Sequence, residues 1–337
     1  MDPVRDSLER PLQDLRISLT DRCNFRCVYC MPKEIFGTPT HFMPPVEAMT
    51  RQEIVRLVRA MSLLGVHKVR LTGGEPLLRR DLVDLIHDLS LVSGIDDIAL
   101  TTNGSMLTRT LARRLKDSGL SRITVSLDSL DRERFGRING VNFGVDRVLE
   151  ATETASTAGF RPVKINIVIK RGLNDQDIIP MADHFRFSGH TVRYIEYMDV
   201  GTSNGWSLHN VISARDILQT LASRWPLHAL ESDYYGEVAT RYAYDDGGGE
   251  IGLIASVTQP FCRSCTRARL SANGRFLLCL FAEHGVNLRD LLRQGATDME
   301  ITTIVERLWQ GRDDRYSELR GHPGSTSKRL EMFQIGG

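Results

Sequence analysis

The feature that most constrains the fold of this chain is a strand–loop–helix pattern that recurs between residues 15 and 198. Each unit combines a short β-branched strand, a loop rich in Gly, Asn or Cys, and an amphipathic helix. This alternation predicts a parallel sheet with helices packed outside it. Six such units are two short of a complete barrel, so we expect an α/β fold with an incomplete (β/α)6 barrel. The predicted strands are 15–19, 68–71, 97–101, 122–127, 163–168 and 192–197, and the predicted helices are 51–64, 107–118, 146–158 and 175–187.

The predicted strands are unusually polar for strands that helices cover, which normally read as continuous apolar runs. Period-two alternation places polar residues together on one face of each strand: Arg16 with Ser18, Arg70 with Thr72, Thr124 with Ser126 and Asp128, Lys164 with Asn166, and Tyr194 with Glu196 and Met198. Outer helices bury the apolar faces, so these polar faces are expected to line an internal cavity for an anionic ligand. The alternative is a structural network in which these residues pair among themselves.

The pattern changes after about residue 201 of the 337. A helix over 213–224 is followed by a hairpin through the turn at 245–249, a cysteine segment at 262–279, and helices over 288–293 and 298–310. We therefore predict a barrel over 1–212 and a smaller C-terminal α+β region over 213–337. The tail from residue 321 is rich in Gly, Ser and Pro, which predicts mobility, and its final Gly-Gly pair is slim enough to enter a narrow site.

Charge and cysteine usage limit the function classes. The formal net charge is +1, which gives no global attraction for nucleic acid or a membrane surface. The first nine residues lack the layout of a secretory signal, and no apolar run approaches the roughly 20 residues of a membrane span. We expect a cytoplasmic protein, in which the six cysteines are metal ligands or catalytic thiols rather than disulfides.

The first cysteine triplet, Cys23, Cys27 and Cys30, directly follows the first predicted strand. Three thiolates on one loop can hold three corners of a 4Fe–4S cluster and leave the fourth iron open to a ligand. A structural zinc site would need a fourth ligand, for which His41 is the candidate on this stretch. A thioredoxin-like redox pair, Cys27 with Cys30, is a further alternative that the additional Cys23 disfavours.

The second triplet, Cys262, Cys265 and Cys279, uses all the remaining thiols. A C-x2-C pair with a third cysteine from a neighbouring strand can hold a second cluster with an open iron. Zinc with His284 as the fourth ligand is the rival interpretation. Arg267 and Arg269 lie two apart and so share one strand face, either as a solvated edge or as guanidinium groups that bind phosphate or a purine edge.

The loops that follow successive strands together resemble one superfamily. The C-x3-C-x-aromatic-C motif resembles the signature of radical S-adenosylmethionine (SAM) enzymes, and 73–76 resembles their GGEP motif, whose glycines let the backbone approach the methionine amino group. The segments 101–104 and 126–129 resemble the next two loops. Taken alone, Gly73-Gly74 is only a tight turn and Ser126 only a strand residue. In this order they support one another, at the strand ends where a barrel carries its site.

The second triplet narrows the resemblance to the GTP 3′,8-cyclase family. The features that resemble this family are the C-x2-C-x-R-x-R-L motif, the single cysteine that follows it, the segment 252–254 upstream of it and the Gly-Gly terminus. The resemblance implies two 4Fe–4S clusters, one held by Cys23, Cys27 and Cys30 and the other by Cys262, Cys265 and Cys279. It implies SAM contacts from Tyr29, Gly73, Gly74, Glu75, Ser126 and Met198, and GTP contacts from Arg16, Arg70, Thr101, Lys164, Arg267, Ala268 and Arg269.

The resemblance also implies a reaction. A 5′-deoxyadenosyl radical derived from SAM would remove the ribose 3′ hydrogen of GTP, and the carbon radical would close onto C8 of guanine, in the first step of molybdenum cofactor biosynthesis. The implied partners are GTP, a small-molecule or protein electron donor and the downstream cyclic pyranopterin monophosphate synthase, and the resemblance allows for a homodimer. The rival functions are a radical SAM enzyme that modifies a peptide and a non-enzymatic zinc-binding interaction module. The segments 201–209 and 236–249 match no motif.

Overall fold

A computed structural model describes residues 2–38, 42–320 and 329–336 of the chain. His41, Gly337 and the segment 321–328, about which the sequence makes predictions, lie outside the described residues. The described strands form one twelve-stranded sheet in the order β12-β11-β10-β1-β2-β3-β4-β5-β6-β9-β8-β7. They are β1 (Asp14–Ser18), β2 (Lys68–Thr72), β3 (Asp97–Thr102), β4 (Arg122–Ser126), β5 (Lys164–Ile169), β6 (Thr191–Glu196), β7 (Leu227–Leu230), β8 (Thr240–Tyr244), β9 (Glu250–Ile254), β10 (Arg267–Leu270), β11 (Arg275–Leu277) and β12 (Val286–Asn287).

Strands β1 to β6 pair in parallel in their chain order, as the incomplete barrel predicts, so that part of the fold prediction is confirmed. Their register brings the polar positions side by side: Arg16 pairs with Arg70, Thr101 with Thr124, and Thr124 with Lys164. Alternate positions on the same strands, such as Ile17 and Leu71, are fully buried in the apolar core. Burying one such side chain contributes about 1.5–3 kcal/mol, which fixes the apolar face against the helices.

The C-terminal strands extend this sheet at both ends. Strand β10 pairs in parallel with β1, and β9 pairs in parallel with β6. Antiparallel partners follow on each side, with β11 and β12 beyond β10, and β8 and β7 beyond β9. The predicted hairpin through 245–249 is the β8–β9 connection. The C-terminal region therefore adds strands to both ends of the barrel sheet rather than forming a sheet of its own.

The helices lie mostly where Gly and capping residues predict them. They are α1 (Lys33–Phe36), α2 (Arg51–Ser62), α3 (Leu82–Ser90), α4 (Arg109–Asp117), α5 (Arg132–Asn139), α6 (Val145–Thr157), α7 (Ile178–Phe185), α8 (Ala214–Ala222), α9 (Leu288–Arg293), α10 (Asp298–Gln310) and α11 (Met332–Ile335). Helix α2 begins with a capping box, in which the Thr50 hydroxyl accepts from the Glu53 amide and the Glu53 carboxylate accepts from the Thr50 amide. The sequence prediction omits α3 and the short, polar α5.

The face assignment for β6 is wrong. Tyr194 was expected to point inward with Glu196, but its hydroxyl donates to the carbonyl of Ile178 in α7 at 2.8 Å, on the helix side. The Glu196 carboxylate accepts from the amides of Ala214 and Val257, both at 2.7 Å. The inward residue is Arg193, which lines the cavity described below.

Candidate active site

The inward faces of the barrel strands line one cavity that also contains the second cysteine triplet. Five of the predicted polar strand residues lie in its wall, together with Met198, both segment arginines and the three cysteines: Arg16, Arg70, Thr101, Lys164, Asn166, Arg267, Arg269, Cys262, Cys265 and Cys279. The predicted cavity is therefore confirmed. Ala268 is fully buried in the apolar core between the two arginines, so its predicted GTP contact would have to come from its main chain.

Further cations that motif reasoning missed join the same wall. Lys68, Arg122, Arg193 and Arg312 line the cavity as well. Lys68 and Arg122 lie on the inward strands, and Arg122 is the first residue of β4, where alternation places it with Thr124. Arg193 was missed because Tyr194 was assigned to the inward face of β6. The inward position of Arg193 is indicated by the strand register, which pairs it with Asn166, and alternation places Asn166 on the inward face.

Each cavity cation makes the charged form of its neighbours less favourable. Burial lowers the pKa of Lys164 to about 8, with Arg193 and two further arginines adding to the shift. Burial and then Arg70 lower the pKa of Arg193 to about 9, and burial and then Arg267 lower that of Arg269 to about 10. A polyanion bound among these groups would remove the repulsion, so the cavity wall is suited to binding phosphates.

Two arginines in the middle of the cavity wall bond to neutral groups. Arg70 Nη1 donates to the Thr101 hydroxyl at 3.1 Å, and Arg193 Nε donates to the Asn166 side-chain oxygen at 2.9 Å. Neither bond neutralises a charge, whereas Arg122 and Arg312 are paired with Asp97 and Asp6. This arrangement favours a ligand site over the self-paired structural network.

The first triplet lies on the loop after β1, and its three thiols are free. Burial raises the pKa of Cys23 to about 11 and raises those of Cys27 and Cys30 further. Buried thiols of this kind become thiolates only when a metal supplies compensating charge. The amide of Phe25 donates to Cys23 Sγ at 3.3 Å, and Asn103 Nδ2 approaches it at 3.8 Å, which are contacts that iron-sulfur sites use. The donor set therefore fits a cluster.

The glycines of the GGEP loop pack against the first cysteine loop. Gly74 donates its amide to the Thr20 carbonyl at 2.7 Å, and a Cβ at Gly74 would lie 2.1 Å from the Arg22 carbonyl oxygen. Gly73 has a φ of +140°, where its missing side chain also faces the Thr20 carbonyl. These positions support the cysteine loop directly, in addition to the backbone approach that the resemblance implies.

Glu75 joins the second and third strand loops. Its buried carboxylate accepts from the Thr102 hydroxyl at 2.6 Å, the Asn103 amide at 2.8 Å and the Leu77 amide at 3.0 Å. Burial nevertheless raises the pKa of Glu75 to about 7. A cationic ligand group beside it would favour the ionised form.

Tyr29 connects the first cysteine loop to the loop after β4. Its hydroxyl donates to Asp128 Oδ2 at 2.7 Å, and the Val168 amide donates to Asp128 Oδ1 at 2.9 Å. Burial raises the pKa of Asp128 to about 6. Ser126, the last residue of β4, pairs with Asn166 of β5 and so lies between this loop and the cavity wall.

The second triplet lies on the two sides of the β10–β11 hairpin. Cys262 and Cys265 precede β10, and Cys279 follows β11. Arg267 Nη2 lies 3.1 Å from Cys265 Sγ. Although burial opposes it, Arg267 and Arg312 lower the pKa of Cys265 to about 7. Burial raises the pKa of Cys279 to about 11, so this set also fits a metal cluster.

The two triplets lie at opposite ends of one strand pair. Asp14 at the start of β1 pairs with Arg267 at the start of β10. The second triplet's Cys262 and Cys265 come just before that point, whereas the first triplet follows the far end of β1 at Ser18. The four residue steps along β1 span about 13 Å.

The C-terminal tail contacts both triplets. Phe333 packs with Met31 and Phe36 beside Cys23 and Cys30. Ile335, two residues later, packs in the cluster that includes Met198 and Cys279. Arg269 Nη1 donates to the main-chain carbonyl of Gly336, and a Cβ at Gly336 would lie 2.2 Å from Thr72 Cγ2. The tail thus enters the narrow site that its glycine composition predicts, as far as Gly336.

The segment 201–209, which matches no motif, anchors this tail. The Glu331 carboxylate accepts from the Thr202 amide at 3.0 Å and from the Ser203 hydroxyl at 2.7 Å. Arg329 Nη1 donates to Asp199 Oδ2 at 3.0 Å. In the other unassigned segment, Gly236 lines the cavity, next to Tyr234, whose hydroxyl accepts from Lys68 Nζ at 2.9 Å.

The described residues contain neither a single-ion metal site nor a membrane-spanning helix. In 2–38, 42–320 and 329–336, no three His, Cys, Asp or Glu side chains surround one ion position. A cluster differs in binding each thiolate to a separate iron. None of the helices in the same ranges combines the length and apolar character that crossing a membrane requires.

Two sequence families match the chain and together span most of it. Residues 17–185 match the Radical SAM superfamily, and residues 190–318 match the Molybdenum Cofactor Synthesis C family. A GTP 3′,8-cyclase of Acidothermus cellulolyticus is 48% identical over 362 residues, which cover 99% of each chain. A GTP 3′,8-cyclase of Staphylococcus carnosus is 47% identical over 338 residues, again with 99% of each chain covered.

Solved structures agree on the fold. Streptococcus suis SuiB bound to S-adenosylmethionine has a TM-score of 0.62 at 17% identity, covering 93% of this chain and 68% of that one. SuiB bound to its precursor peptide SuiA gives a TM-score of 0.63 with 93% and 67% covered. At this identity the likeness concerns the arrangement of strands and helices alone.

Proposed function

This chain belongs to the GTP 3′,8-cyclase family, and from that premise we propose how its residues divide the reaction between two iron-sulfur sites. The enzyme converts GTP to (8S)-3′,8-cyclo-7,8-dihydroguanosine 5′-triphosphate, with SAM as the radical source, in the first step of molybdenum cofactor biosynthesis. The observation that supports this assignment of roles is the cavity in which the inward cations of the barrel lie beside the second triplet.

Cys23, Cys27 and Cys30 hold the SAM-binding 4Fe–4S cluster. When bound, this cluster supplies the electron that cleaves SAM into methionine and the 5′-deoxyadenosyl radical. Gly73 and Gly74 keep the cysteine loop and the SAM amino group close to the backbone. Glu75, pinned by three hydrogen bonds, faces that ammonium group, which returns its carboxyl to the ionised form. Tyr29, Ser126 and Met198 complete the SAM contacts.

The cavity cations hold the triphosphate and orient the ribose. Arg16 lies beside Arg269 on the paired strands β1 and β10, and Arg70, Lys164 and Arg267 line the same cavity, so phosphates bound there would meet several positive charges. Thr101 fixes the Arg70 guanidinium through their hydrogen bond. Holding the 3′ carbon near the SAM end would limit quenching of the substrate radical by stray hydrogen donors.

Cys262, Cys265 and Cys279 hold a second 4Fe–4S cluster with an open iron. Because these cysteines lie in the wall of the same cavity, an open iron held there would be available to bind the guanine of GTP. The guanine would then lie at the β10 end of the strand pair and the SAM at the β1 end. Gly336, bound by Arg269, closes the space between them.

The remaining partners follow from the reaction. A small-molecule or protein donor supplies the electron, and the cyclic pyranopterin monophosphate synthase takes the cyclised product onward. We propose a cytoplasmic enzyme, since its cysteines must stay reduced for cluster assembly. We also propose that it can work as a homodimer.

One anaerobic assay tests the activity. Protein reconstituted with iron and sulfide is mixed with GTP, SAM and dithionite, and the products are identified by mass spectrometry. We expect 5′-deoxyadenosine, methionine and a product isobaric with GTP that carries the C3′–C8 bond. Deuterium at the GTP 3′ position should appear in 5′-deoxyadenosine. Reductive cleavage of SAM with no deuterium transfer and no cyclised nucleotide would contradict the function.

A further inference from the structure

The second cysteine loop contacts a buried charged trio, two members of which precede both family matches. Asp6, Arg10 and Arg312 have exposed fractions of 4%, 0% and 2%. Arg10 Nε donates to Asp6 Oδ2 at 2.5 Å, and Arg312 Nη1 donates to the same oxygen at 3.1 Å. Asp6 and Arg10 precede residue 17, where the first family match begins.

Each arginine of the trio binds the main chain of one cluster cysteine. Arg10 Nη1 donates to the carbonyl of Cys262 at 2.9 Å. Arg312 Nη1 donates to the carbonyl of Cys265 at 2.9 Å. One carboxylate thus holds two guanidinium groups at the two ends of the C-x2-C loop. This brace fixes the separation of the two thiols through hydrogen bonds to the main chain of the loop.

The guanidinium of Arg312 is the charge of the trio that lies nearest the thiols, since it lines the cavity beside Cys265. Asp6 accepts from both arginines, and a second carboxylate, that of Asp314, lies 3.9 Å from Arg312 Nε. Arg10 Nη2 and Arg312 Nε are buried and have no hydrogen-bond partner within the described ranges. A guanidinium charge beside a cluster favours its reduced, more negative form, and such outer contacts are known to tune iron-sulfur potentials.

We propose that Asp6, Arg10 and Arg312 are positioning residues for the second cluster, which hold its C-x2-C loop and raise its reduction potential. The inference rests on the second cluster of the proposed function. It gives the N-terminal arm, residues 2–12, a role in the chemistry of a site 250 residues later. The trio is proposed to act on the cluster both by holding the loop and by its charge. Because Asp6 and the arginines carry opposite charges, substitutions that remove those charges separate the two contributions.

The test uses the full-length chain with Cys23, Cys27 and Cys30 all changed to Ala, so that only the second cluster remains. After anaerobic reconstitution, its reduction potential is measured by a redox titration followed by electron paramagnetic resonance. We expect Arg312→Gln to make the potential more negative and Asp6→Asn to make it more positive. Arg312→Lys should keep the potential near that of the parent. Arg315→Gln, which removes a half-exposed charge three residues away, is the matched control and should change nothing.

A second readout tests the brace. With a ferrous chelator present, Arg10→Gln and Arg312→Gln should lose iron roughly ten- to hundredfold faster than the parent. Potentials that move in the same direction in Arg312→Gln and Asp6→Asn, or that do not move, overturn the inference. If Arg312→Gln does not assemble a cluster, the Asp6→Asn shift alone decides. A triple-alanine parent that binds no cluster would instead refute the second cluster of the proposed function.

Discussion

The guanidinium of Arg269 donates a hydrogen bond to the main-chain carbonyl of Gly336, so a residue of the cavity wall holds the C-terminal tail. The same glycine has a φ of +70° and lies against Thr72 at the end of β2. Any side chain there would collide with the strand. The tail is therefore part of the cavity, and its glycine is required by both conformation and space.

Gly336→Ala should displace the tail, because the added carbon would lie 2.2 Å from Thr72 Cγ2. We expect kcat/KM for GTP to fall roughly hundredfold, since misplaced groups in an active site cost that much. Iron content should stay at the wild-type value. Gly311→Ala, whose added carbon would lie at an ordinary 3.5 Å from the Arg307 carbonyl oxygen, is the control and should retain activity. Equal activity of the two variants would remove the tail from the site.

Glu331→Ala should release the tail from Thr202 and Ser203. Because the tail would then leave its site more often, carboxypeptidase should remove C-terminal residues faster, with cleavage followed by mass spectrometry. GTP turnover should fall about tenfold, in proportion to the lost occupancy of the docked state. Glu150→Ala, on the exposed face of α6, should match the wild type. Unchanged digestion of Glu331→Ala would mean that this carboxylate does not anchor the tail.

The two triplets should have separable functions. Cys27→Ser should abolish SAM cleavage, since it removes a ligand of the SAM-binding cluster. Cys265→Ser should spare uncoupled SAM cleavage and stop cyclisation, because only the guanine end of the cavity is altered. The measurement is the yield of 5′-deoxyadenosine and of cyclised nucleotide from the same anaerobic reaction. Loss of both products in both variants would contradict the division of roles.

GTP affinity should fall as pH rises through about 8. The pKa of Lys164 is lowered to about 8 by burial and by neighbouring arginines, so its ammonium is charged below that pH and neutral above it. Only the charged form attracts the triphosphate. The dissociation constant for GTP, measured by calorimetry between pH 7 and 9, should rise in the wild type. In Lys164→Arg it should rise less over the same range, because a guanidinium loses its proton at a higher pH than an ammonium group in the same place. Parallel curves for the two proteins would exclude Lys164 as the titrating group.

Gly74→Ala should weaken the first cluster specifically. The added carbon would lie 2.1 Å from the Arg22 carbonyl oxygen, so the cysteine loop must move. We expect reconstituted protein to retain the second cluster and lose most iron from the first, with SAM cleavage falling in step. Gly144→Ala, which adds a carbon in open space at a negative φ, is the matched control. Full iron loading of Gly74→Ala would show that the loop tolerates the shift.

Local patterns in the sequence predict the barrel strands well. Strands β1 to β6 lie within two residues of the predicted ranges, because glycines end the helices and alternation marks the strands. The prediction fails at β6, where Arg193 rather than Tyr194 lies on the inward face. Tyrosine buries its ring on the helix side because its hydroxyl finds the Ile178 carbonyl there. Alternation alone does not encode that partner.

Contacts between distant segments account for what sequence reasoning missed. Strands β9 and β10 join opposite ends of the sheet, and nothing in their local pattern specifies which strand each pairs with. The bond from Arg10 to Cys262 joins residues 252 positions apart, and the contact of Glu331 with Thr202 joins residues 129 apart. Arginine near the N-terminus ordinarily indicates a solvated surface. Only the folded chain reveals that Arg10 is buried.

In the proposed arrangement, the parallel pairing of β1 with β10 sets the distance between the two cysteine triplets. The length of this strand pair would then limit which nucleotides reach from one triplet to the other. Deleting a single residue from β1 would shorten that distance by about 3.3 Å and turn Arg16 toward the helices. The backbone would therefore select for substrate size in a way that side-chain substitution leaves unchanged.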